Sequence, residues 1–420
     1  MYQAARGTSD FLPEEQPYWR YVEQAAADIC RLYGYQRIDT PVFEETSLFT
    51  RSIGDATDIV DKEMYNFQDK GGSLLTLKPE GTAPVCRAYI QHGFHNLPQP
   101  VKLYYISPIF RYDRPQAGRY RQHFQFGCEA IGDDDPALDA EVIDMAWHFY
   151  RSMGLQNISL YLNSIGCKEC RPEYLSALKK YYAGHAASLC SDCKTRLSKN
   201  PLRLLDCKQP SCQPVAVNAP RSTDHLCVRC HEHFTQLQKY LEMLGIPFAL
   251  NPRLVRGLDY YTRTVFEIQP EEEGGQSSIG GGGRYDDLIE ELGGKPTPAI
   301  GFATGIERII LNIKRQNVAV PELNGLQALV AYLGERARDE AFKLTANLRQ
   351  AGISAVMTTG GKSLKAQLRQ ANTLGVPAVV IIGEDEVKAG TVTLRYMADA
   401  RQETLPIGKL PERLRATIPS

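Results

Sequence analysis

The sequence predicts an α+β domain organised around a long hairpin, interrupted by a helical insertion and followed by a separate α/β domain. Three observations predict this arrangement. An apolar run from Val101 to Phe110 and a second, alternating run from His123 to Ile131 are joined by an arginine-rich connection. Eight cysteines between Cys167 and Cys230 mark a change to a helical composition, and after Pro321 strand and helix patterns alternate. The expected bounds are 1–320 for the first domain, 166–248 for its insertion, 321–325 for a linker and 326–420 for the second domain.

The composition is typical of an ordinary globular protein, with 43% hydrophobic and 23% charged residues. A net charge of −1 provides no global basic field, so any contact with nucleic acid must come from local patches. The first residues lack the pattern of a signal peptide, and no apolar run approaches membrane-spanning length. Eleven cysteines without an export signal favour free or metal-bound thiols. We therefore expect a cytoplasmic protein with no membrane association.

The hairpin VKLYYISPIFRYDRPQAGRYRQHFQFGCEAIG carries four arginines in its connection: Arg111, Arg114, Arg119 and Arg121. In its second strand, Gln125, Gly127 and Glu129 share one face. Burying an unpaired carboxylate costs on the order of several kcal/mol, so this face predicts a ligand or a partner charge. The arginines favour an anion, with phosphate the leading candidate. A solvated basic hairpin in which Glu129 pairs with a neighbouring arginine explains the same residues equally well.

The segments before the hairpin predict a helix, two strands and a second helix. Apolar residues at helical spacing predict a helix over 17–33, which Gly34 ends. The next segment, YQRIDTPVFEE, predicts a strand, and its Pro41 places that strand at an edge or against something other than its own sheet. The strand SLLTL leads into a helix whose predicted N-cap is Thr82. Glu80 lies at that corner, where it could hold an ammonium group or be a surface glutamate near a helix N-terminus.

The segments after residue 250 carry further candidate binding residues. In RLVRGLDYYTRTVFEIQ, a turn brings together Arg256, Tyr260 and Tyr261 before a strand. Glycines 280–283 indicate a close backbone approach to a ligand or strand, although a flexible loop is the default. Glycine and alanine alternate over 299–305, so one face of that strand is nearly bare and admits a flat ligand or a helix. The following helix carries Arg308 near its N-terminus, where an arginine reinforces an anion site, but an ordinary helix–strand contact with Arg308 solvated explains the residue at least as well.

The cysteines of the insertion occur in four pairs: Cys167/Cys170, Cys190/Cys193, Cys207/Cys212 and Cys227/Cys230. The first two pairs fit the spacing of a four-cysteine zinc site, and the last two contain one looser spacing. One structural zinc site, or two, is one hypothesis, and reduced thiols in a helical insertion is the other. We assign no metal ligands from the sequence. A zinc ion held by four thiolates has no open position, so no catalytic role is expected here.

The segment beyond the linker alternates between predicted strands and helices. The strands are LQALVAYL, ISAVMTT, PAVVIIG and TVTLRYM, and the helices are ARDEAFKLTANLRQAG and SLKAQLRQANTLG. This pattern indicates a separate α/β domain of about a hundred residues, an ordinary domain size. It contains no catalytic constellation, so we expect a binding domain.

These segments together resemble the histidyl-tRNA synthetases, which are class II aminoacyl-tRNA synthetases, in their bacterial form. The resemblance covers essentially the whole chain. The first helix with the Pro41 segment is similar to motif 1, FRYDRPQAGRYRQHFQFGCE to motif 2, and GFATGIERII to motif 3. The more specific signals are LKPEGTAPVCRA, RLVRGLDYYTRTVFE and GGGRYDDLIEELGG, which resemble the histidine-binding elements of the family. The resemblance implies an α+β catalytic domain on a mostly antiparallel sheet, a homodimer formed through motif 1, and an α/β anticodon-binding domain.

The resemblance also implies a role for each candidate residue. Histidine would contact Glu80, Gly81, Thr82, Gln125, Glu129, Tyr260 and Tyr261. Glu80 and Gln125, with Thr82 beside them, would hold its ammonium group. Glu129 and Tyr261, supported by Tyr260, would bind its imidazole. The implied catalytic residues Arg111 and Arg256 would flank the α-phosphate of ATP, Arg111 also contacting the histidine carboxylate, and Arg308 would bind the ATP end.

The implied reaction needs ATP, Mg²⁺, L-histidine and tRNA(His). A carboxylate oxygen attacks the α-phosphorus and pyrophosphate leaves, and the tRNA terminal hydroxyl then attacks the adenylate. Such chemistry requires positioning and charge neutralisation more than a side-chain nucleophile. The main alternative is a non-catalytic regulatory paralogue of the histidine-biosynthetic ATP phosphoribosyltransferase, and a class IIa synthetase for another amino acid is more distant. The arginines and the domain after Pro321 argue against the first, and Glu129 with RGLDYY argues against the second. The resemblance does not imply the paired cysteines.

Overall fold

The computed structural model describes residues 2–54, 57, 59–114, 118–271 and 278–417. The chain forms two compact units, Met1–Pro321 and Glu322–Ser420. Each unit has its own buried apolar clusters, so each has a core that does not depend on residues of the other. Within the described ranges, no helix combines the length and the apolar character needed to cross a membrane.

The first unit contains two sheets and the helices that pack on them. Its described strands are β1 (Gln36–Arg37), β2 (Phe43–Glu45), β3 (Tyr65–Gln68), β4 (Leu74–Leu77), β5 (Val101–Phe110), β6 (Gln122–Ile131), β7 (Ile158–Ser164), β8 (Phe248–Leu250), β9 (Thr262–Pro270), β10 (Gly280–Arg284) and β11 (Ala299–Gly305). Its described α-helices are α1 (Gln16–Leu32), α2 (Thr46–Ile53), α3 (Thr82–Gln91), α4 (Pro136–Ser152), α5 (Arg171–Ala183), α6 (Ser191–Lys199), α7 (Gln213–Val217), α8 (Val228–Met243), α9 (Leu288–Glu291) and α10 (Ile306–Arg315).

The larger sheet has the strand order β1-β5-β6-β11-β10-β9-β7-β8 across the described strands. Only β1/β5 and β7/β8 are parallel, so the predicted mostly antiparallel α+β sheet is confirmed. The hairpin predicted from residue 101 is the β5–β6 pair. One face of β6, with Phe126, Cys128 and Ala130, is buried in the core that also contains residues of α1, α4 and α10. The other face, with Gln125, is free to form a site.

The four-glycine segment is strand β10, which lies between β9 and β11 in the middle of the sheet. The default prediction of a flexible loop is therefore wrong. A Cβ atom on Gly282 would lie 1.9 Å from the carbonyl oxygen of Gly301, and one on Gly280 would lie 2.1 Å from the hydroxyl of Tyr150. Because these approaches are shorter than any side chain permits, glycine is needed for the strands to pair at this register.

The single strand predicted around Pro41 is wrong. Gln36 and Arg37 pair with β5 in the larger sheet, whereas Phe43–Glu45 pair with β4 in the three-stranded sheet β2-β4-β3. Pro41 lies between the two short strands, where its missing N–H breaks no ladder. The segment therefore carries the chain from the edge of one sheet to the edge of another.

The chain between β7 and β8 is helical where it is described, and it contains α5 to α8. The expectation that the first two cysteine pairs combine is wrong. Cys167 and Cys170 come together with Cys227 and Cys230, and the two middle pairs, 190/193 and 207/212, form a second group. Helix α5 explains this, because its 13 residues carry the chain about 20 Å away from the first pair before the second begins.

The second unit has a five-stranded mixed sheet in its described part, with the order β13-β12-β14-β15-β16. Its strands are β12 (Ala328–Tyr332), β13 (Ala355–Met357), β14 (Ala378–Ile382), β15 (Thr391–Tyr396) and β16 (Gln402–Pro406). Its helices are α11 (Glu335–Gln350), α12 (Leu364–Thr373), α13 (Glu384–Ala389) and α14 (Leu410–Thr417). The predicted α/β character and the four predicted strands are confirmed. Strand β16 and helices α13 and α14 were not predicted, since β16 is a largely exposed edge strand and both helices are short.

Candidate functional site

A cavity of about 410 Å³ opens over β6, β10 and β11. Eight of the residues singled out from the sequence line it: Glu80, Thr82, Arg111, Gln125, Arg256, Tyr260, Tyr261 and Arg308. Ala303 and Gly305 also line it, so the nearly bare face of β11 faces the cavity. Two predicted residues, Gly81 and Glu129, are not part of the lining, and both contact residues that are close to it.

Arg308, Arg119 and Arg111 line the cavity, and their charges act on one another. Arg308 donates from Nε to the carbonyl of Gly118 at 3.0 Å and from Nη1 to the carbonyl of Ser278 at 2.7 Å, so its guanidinium is held by neutral groups. Burial, and then the charges of Arg119 and Arg111, lower its pKa. Burial and two of these arginines also lower the pKa of the lining residue His123 to about 3, so its ring is neutral at pH 7. Neighbouring positive charges thus lower one another's pKa. A negatively charged ligand would offset this repulsion, so the arginines favour an anion.

Arg111 reaches the cavity from the end of β5. Its Nε donates to the carbonyl oxygen of Pro79 at 2.7 Å, which ties the start of the hairpin connection to the corner before α3. This single backbone contact fixes the side chain and leaves the rest of the guanidinium fork available to a ligand.

Arg256 is positioned by a carboxylate that was not singled out from the sequence. Its Nη1 lies 2.7 Å from Oε2 of Glu267 on β9. Space for the guanidinium exists because residue 281 is glycine, where a Cβ atom would lie 2.8 Å from the same Nη1. Glu267 could have been found by the signal that marked Glu129, since it is a carboxylate within an otherwise apolar strand.

The cavity is also lined by the buried carboxylate of Glu80. Glu80 is 3% exposed, and its carboxylate accepts hydrogen bonds from the backbone N–H groups of Thr82 at 2.7 Å and Ala83 at 2.9 Å. It therefore caps α3 itself, so the surface-glutamate alternative and the prediction of Thr82 as N-cap are both wrong. Tyr260 donates to Glu80 at 3.4 Å. Burial raises the pKa of Glu80, so a cation in the cavity would stabilise its charged form.

Glu129 is 1% exposed and accepts hydrogen bonds from the hydroxyls of Thr82 at 2.7 Å and Tyr285 at 2.5 Å. Its partners are thus hydroxyls, and the alternative in which it pairs with an arginine is wrong. Burial raises its pKa to about 8. Gly301 on the neighbouring strand makes room for it, because a Cβ atom there would lie 1.9 Å from Oε2. Sequence reasoning missed Tyr285, which directly follows β10.

Gly81 contacts a tyrosine instead of the cavity. Cβ atoms built on Gly81 and on Gly127 would lie 2.2 and 2.3 Å from Cζ of Tyr105, so the buried ring occupies the space that the two glycines leave. The Tyr105 hydroxyl donates to Oε1 of Gln125 at 3.2 Å. Gly81 therefore acts on the site through Tyr105, which orients the lining amide of Gln125.

The arginines of the hairpin connection have different environments. Arg119 lines the cavity and forms an ion pair with Asp113 at 3.2 Å. Arg114 is exposed. The guanidinium of Arg121 lies 3.8 Å from the ring centroid of Tyr112, a cation–π contact away from the cavity lining.

Within the described residues, donors that converge as a metal site does are found in the two cysteine groups of the insertion. The cavity itself offers separate carboxylates. Glu307 is one of them, 8% exposed, and it accepts from the backbone N–H of Phe124 at 2.9 and 3.1 Å. Burial raises its pKa to about 7, so a cation beside it would stabilise its charged form.

Comparison with known proteins agrees with this geometry. Residues 7–309 match the family model for histidyl-tRNA synthetase, and residues 327–417 match the model for the anticodon binding domain. The chain belongs to the histidyl-tRNA synthetase family. A curated histidine–tRNA ligase of Dehalococcoides mccartyi is 63% identical over 410 residues, covering 98% of each chain. One from Desulforamulus reducens is 51% identical over 405 residues, covering 96% of this chain and 97% of the relative.

Solved structures of the histidyl-tRNA synthetase family share the fold. The crystal structure of apo S. aureus histidyl-tRNA synthetase superposes with a TM-score of 0.83 at 38% identity, covering 99% of this chain and 100% of that one. A structure titled as an ATP phosphoribosyltransferase regulatory subunit/histidyl-tRNA synthetase from Bacillus halodurans C has a TM-score of 0.65 at 23% identity, covering 91% and 98%. At that identity the second likeness concerns the fold alone.

Proposed function

We propose that this chain activates L-histidine with ATP, forming histidyl-adenylate and pyrophosphate, and then transfers histidine to the 3′ end of tRNA(His). The observation that carries the proposal is that cations and a buried acid meet in one cavity. Arg111, Arg256 and Arg308 line it together with Glu80. An amino acid that joins its carboxylate to a nucleotide phosphate needs this arrangement. Its ammonium group must meet an acid while its carboxylate and the phosphate meet cations.

Histidine would lie beside Glu80. Its ammonium group would contact Glu80 and Gln125, with Thr82 beside them, and would stabilise the charged form of the buried Glu80 carboxylate. Tyr261 and Glu129 would bind the imidazole, Glu129 by exchanging the hydroxyl of Thr82 for an imidazole N–H. A site that hydrogen-bonds both ring nitrogens leaves buried polar groups unpaired when an apolar amino acid enters, which disfavours the wrong substrate.

The α-phosphate of ATP would lie between Arg111 and Arg256. The histidine carboxylate attacks phosphorus in line, negative charge develops on the non-bridging oxygens, and pyrophosphate leaves. Both guanidinium groups are held in place beforehand, Arg111 by the carbonyl of Pro79 and Arg256 by Glu267. Donors oriented in advance stabilise the developing charge without reorganisation. Arg308 would bind the ATP end, and the bare face of β11 would leave room for adenine and ribose.

Mg²⁺ is implied by the use of ATP, and the cavity is compatible with it. The ion prefers oxygen ligands and is usually bound by one or two carboxylates together with substrate phosphates and water. Glu307 would serve as the protein ligand, since its buried carboxylate has backbone N–H groups but no cation as partner. When bound, Mg²⁺ would add to the neutralisation of phosphate charge that the arginines provide.

We further infer a cytoplasmic homodimer that binds tRNA(His) through residues 326–420. The three-stranded sheet near motif 1 supports the dimer, because it exposes apolar side chains, with Phe43 46%, Phe67 40% and Leu74 55% exposed. An apolar surface of this kind favours burial against a second subunit. The match of residues 327–417 to the anticodon-binding family supports the tRNA contact.

Amino-acid-dependent ATP–pyrophosphate exchange tests the proposal without tRNA. We expect exchange with histidine and none with proline, threonine or phenylalanine. Exchange with proline or threonine would assign the chain to another class IIa specificity. Absence of exchange with every amino acid would favour the regulatory paralogue. The match of residues 327–417 to the anticodon binding domain already argues against that paralogue.

A further inference from the structure

We propose that the insertion between β7 and β8 binds two structural zinc ions, each held by four cysteine thiolates. We define the outer cluster as Cys167, Cys170, Cys227 and Cys230, and the inner cluster as Cys190, Cys193, Cys207 and Cys212. Within each cluster, all four sulfur atoms lie within 4.8 Å of one another. All eight cysteines are free thiols, so no disulfide explains why they converge.

The distances between sulfur atoms match a zinc tetrahedron. With Zn–S bonds of about 2.3 Å, two sulfurs of a tetrahedral site are separated by about 3.8 Å. In the outer cluster, Sγ of Cys167 lies 3.8 Å from that of Cys170 and 3.9 Å from that of Cys227, and the sulfurs of Cys170 and Cys230 are 3.9 Å apart. In the inner cluster, the sulfurs of Cys190 and Cys207 are 3.9 Å apart. A disulfide would instead bring two sulfurs to about 2.05 Å.

Backbone N–H groups lie at sulfur atoms of both clusters. Cys170, Cys190 and Cys227 are the N-cap residues of α5, α6 and α8, where the helix dipole stabilises negative charge. The backbone N–H of Cys167 donates to Sγ of Cys170, and that of Cys190 donates to Sγ of Cys212, each at 3.3 Å. One sulfur atom of each cluster thus has a backbone donor that would help to stabilise the thiolate that zinc requires.

The residue before the outer cluster is shaped to admit the sulfur atoms. Gly166 has φ +72°, and a Cβ atom on it would lie 2.8 Å from Sγ of Cys170. A side chain at 166 would therefore be strained and would press on a proposed ligand. Four thiolates and no histidine or carboxylate favour zinc over harder ions, and they leave no coordination position for a substrate.

The clusters hold together the part of the insertion that contacts the loop before β9. Asn200, between the two pairs of the inner cluster, donates from Nδ2 to Oδ1 of Asp259 at 2.6 Å. Gln213, directly after Cys212, accepts from Nη1 of Arg253 at 3.2 Å. Arg171, directly after Cys170, donates to the backbone carbonyl of Tyr261. This loop carries Arg256 and Tyr260, so zinc would also position the cavity, a consequence that rests on the proposed function.

The metal content of the full-length protein, purified without chelator, tests the proposal. Mass spectrometry of the metals should find two zinc ions per chain. Cys230→Ser and Cys207→Ser should each leave one. Cys30→Ser is the matched control, because Cys30 is a buried free cysteine outside both clusters, and it should leave two. Less than one zinc per chain, or iron in its place, would overturn the proposal. If a variant of one cluster keeps both zinc ions, that cluster is not a zinc site.

A second measurement on the wild-type chain holds even where a variant does not fold. Titration of the thiols with a mercurial reagent should release one zinc for every four sulfurs in two steps. Protein loaded with Co²⁺ should show the intense visible bands of a tetrahedral thiolate site, and weak octahedral bands would contradict it. The contact between the inner cluster and the loop before β9 is tested by Cys207→Ser, which should raise the KM for histidine at least tenfold in pyrophosphate exchange. An unchanged KM with one zinc lost would refute the positioning consequence while the metal result stands.

Discussion

Replacing Arg256 by alanine tests the proposed transition-state contact most sharply. Its guanidinium lines the cavity and lies 2.7 Å from Glu267, so its position is fixed before substrate arrives. Removing one such preorganised donor typically lowers the rate ~100- to 1,000-fold, or about 2.7–4 kcal/mol. We therefore expect Arg256→Ala to lower histidine-dependent ATP–pyrophosphate exchange by about two to three orders of magnitude.

The same substitution also affects stability, and a second variant separates the two effects. Glu267 is 16% exposed, and in Arg256→Ala it keeps only the contact from Gln269 at 2.6 Å. Leaving a mostly buried acceptor without its charged partner costs about 1–3 kcal/mol, which a fall in Tm would reveal. The double variant Arg256→Ala/Glu267→Gln removes the unpaired charge. We expect it to recover Tm without recovering exchange.

Two results would refute this reasoning. Exchange by Arg256→Ala within about threefold of wild type would remove the residue from the mechanism. Recovery of exchange in the double variant would show that the loss was structural. Arg369→Ala serves as the control, since Arg369 is an exposed arginine of α12 in the second unit and should leave exchange and Tm unchanged.

Further predictions concern the packing of the glycine strand β10, the buried carboxylate of Glu129 and the second unit. Gly282→Ala places a Cβ atom 1.9 Å from the Gly301 carbonyl and should cost about 1–3 kcal/mol or more, seen as a lower Tm, whereas Gly408→Ala, with open space, should not. Burial raises the pKa of Glu129 to about 8, so between about pH 4.5 and 8 its native state binds more protons than its unfolded state and its contribution to stability falls as pH rises. The Tm difference between wild type and Glu129→Gln should therefore decline from pH 4.5 to 8, and a constant difference would contradict the raised pKa. Glu129→Ala should also raise the KM for histidine. Ending the chain at Pro321 should spare pyrophosphate exchange and abolish most tRNA charging, and efficient charging by the truncated chain would refute the assignment of the second unit to tRNA binding.

The hairpin could be predicted closely because its signals are local. An apolar run marked the first strand and alternation in period two marked the second, and β5 has the predicted bounds, Val101–Phe110. The predicted faces of β6 were confirmed for the same reason, since neighbouring residues of a strand must point to opposite sides. Eight of the candidate site residues line one cavity. They could be selected because they lie in motifs that resemble those of the family.

The partners of these residues could not be predicted, because contacts across the sheet leave no trace in local spacing. Glu267 is eleven residues from Arg256, and Tyr285 is 156 residues from Glu129. The four glycines were ambiguous for a related reason. Only the fold shows that the space left by their missing side chains is taken by the backbone of β9 and β11 and by the side chains of Tyr150 and Arg256.

The cysteines show the same limit. The C-x2-C spacing of the first two pairs favoured joining these neighbours along the chain, but the length of α5 separates them, and the first pair meets the last. The Pro41 segment was misinterpreted for another reason. It was predicted as one strand, whereas the chain passes from one sheet to another at the residue that cannot donate a hydrogen bond.

Transfer of histidine to tRNA is the most direct test of the central claim. The full chain, ATP, Mg²⁺ and radiolabelled histidine are incubated with transcripts of tRNA(His) and, separately, of tRNAs for proline and threonine. The account predicts histidine esterified to the 3′ end of tRNA(His) alone, with one pyrophosphate released per charged tRNA. Adenylate formation without any charged tRNA, or charging of the other transcripts, would contradict it.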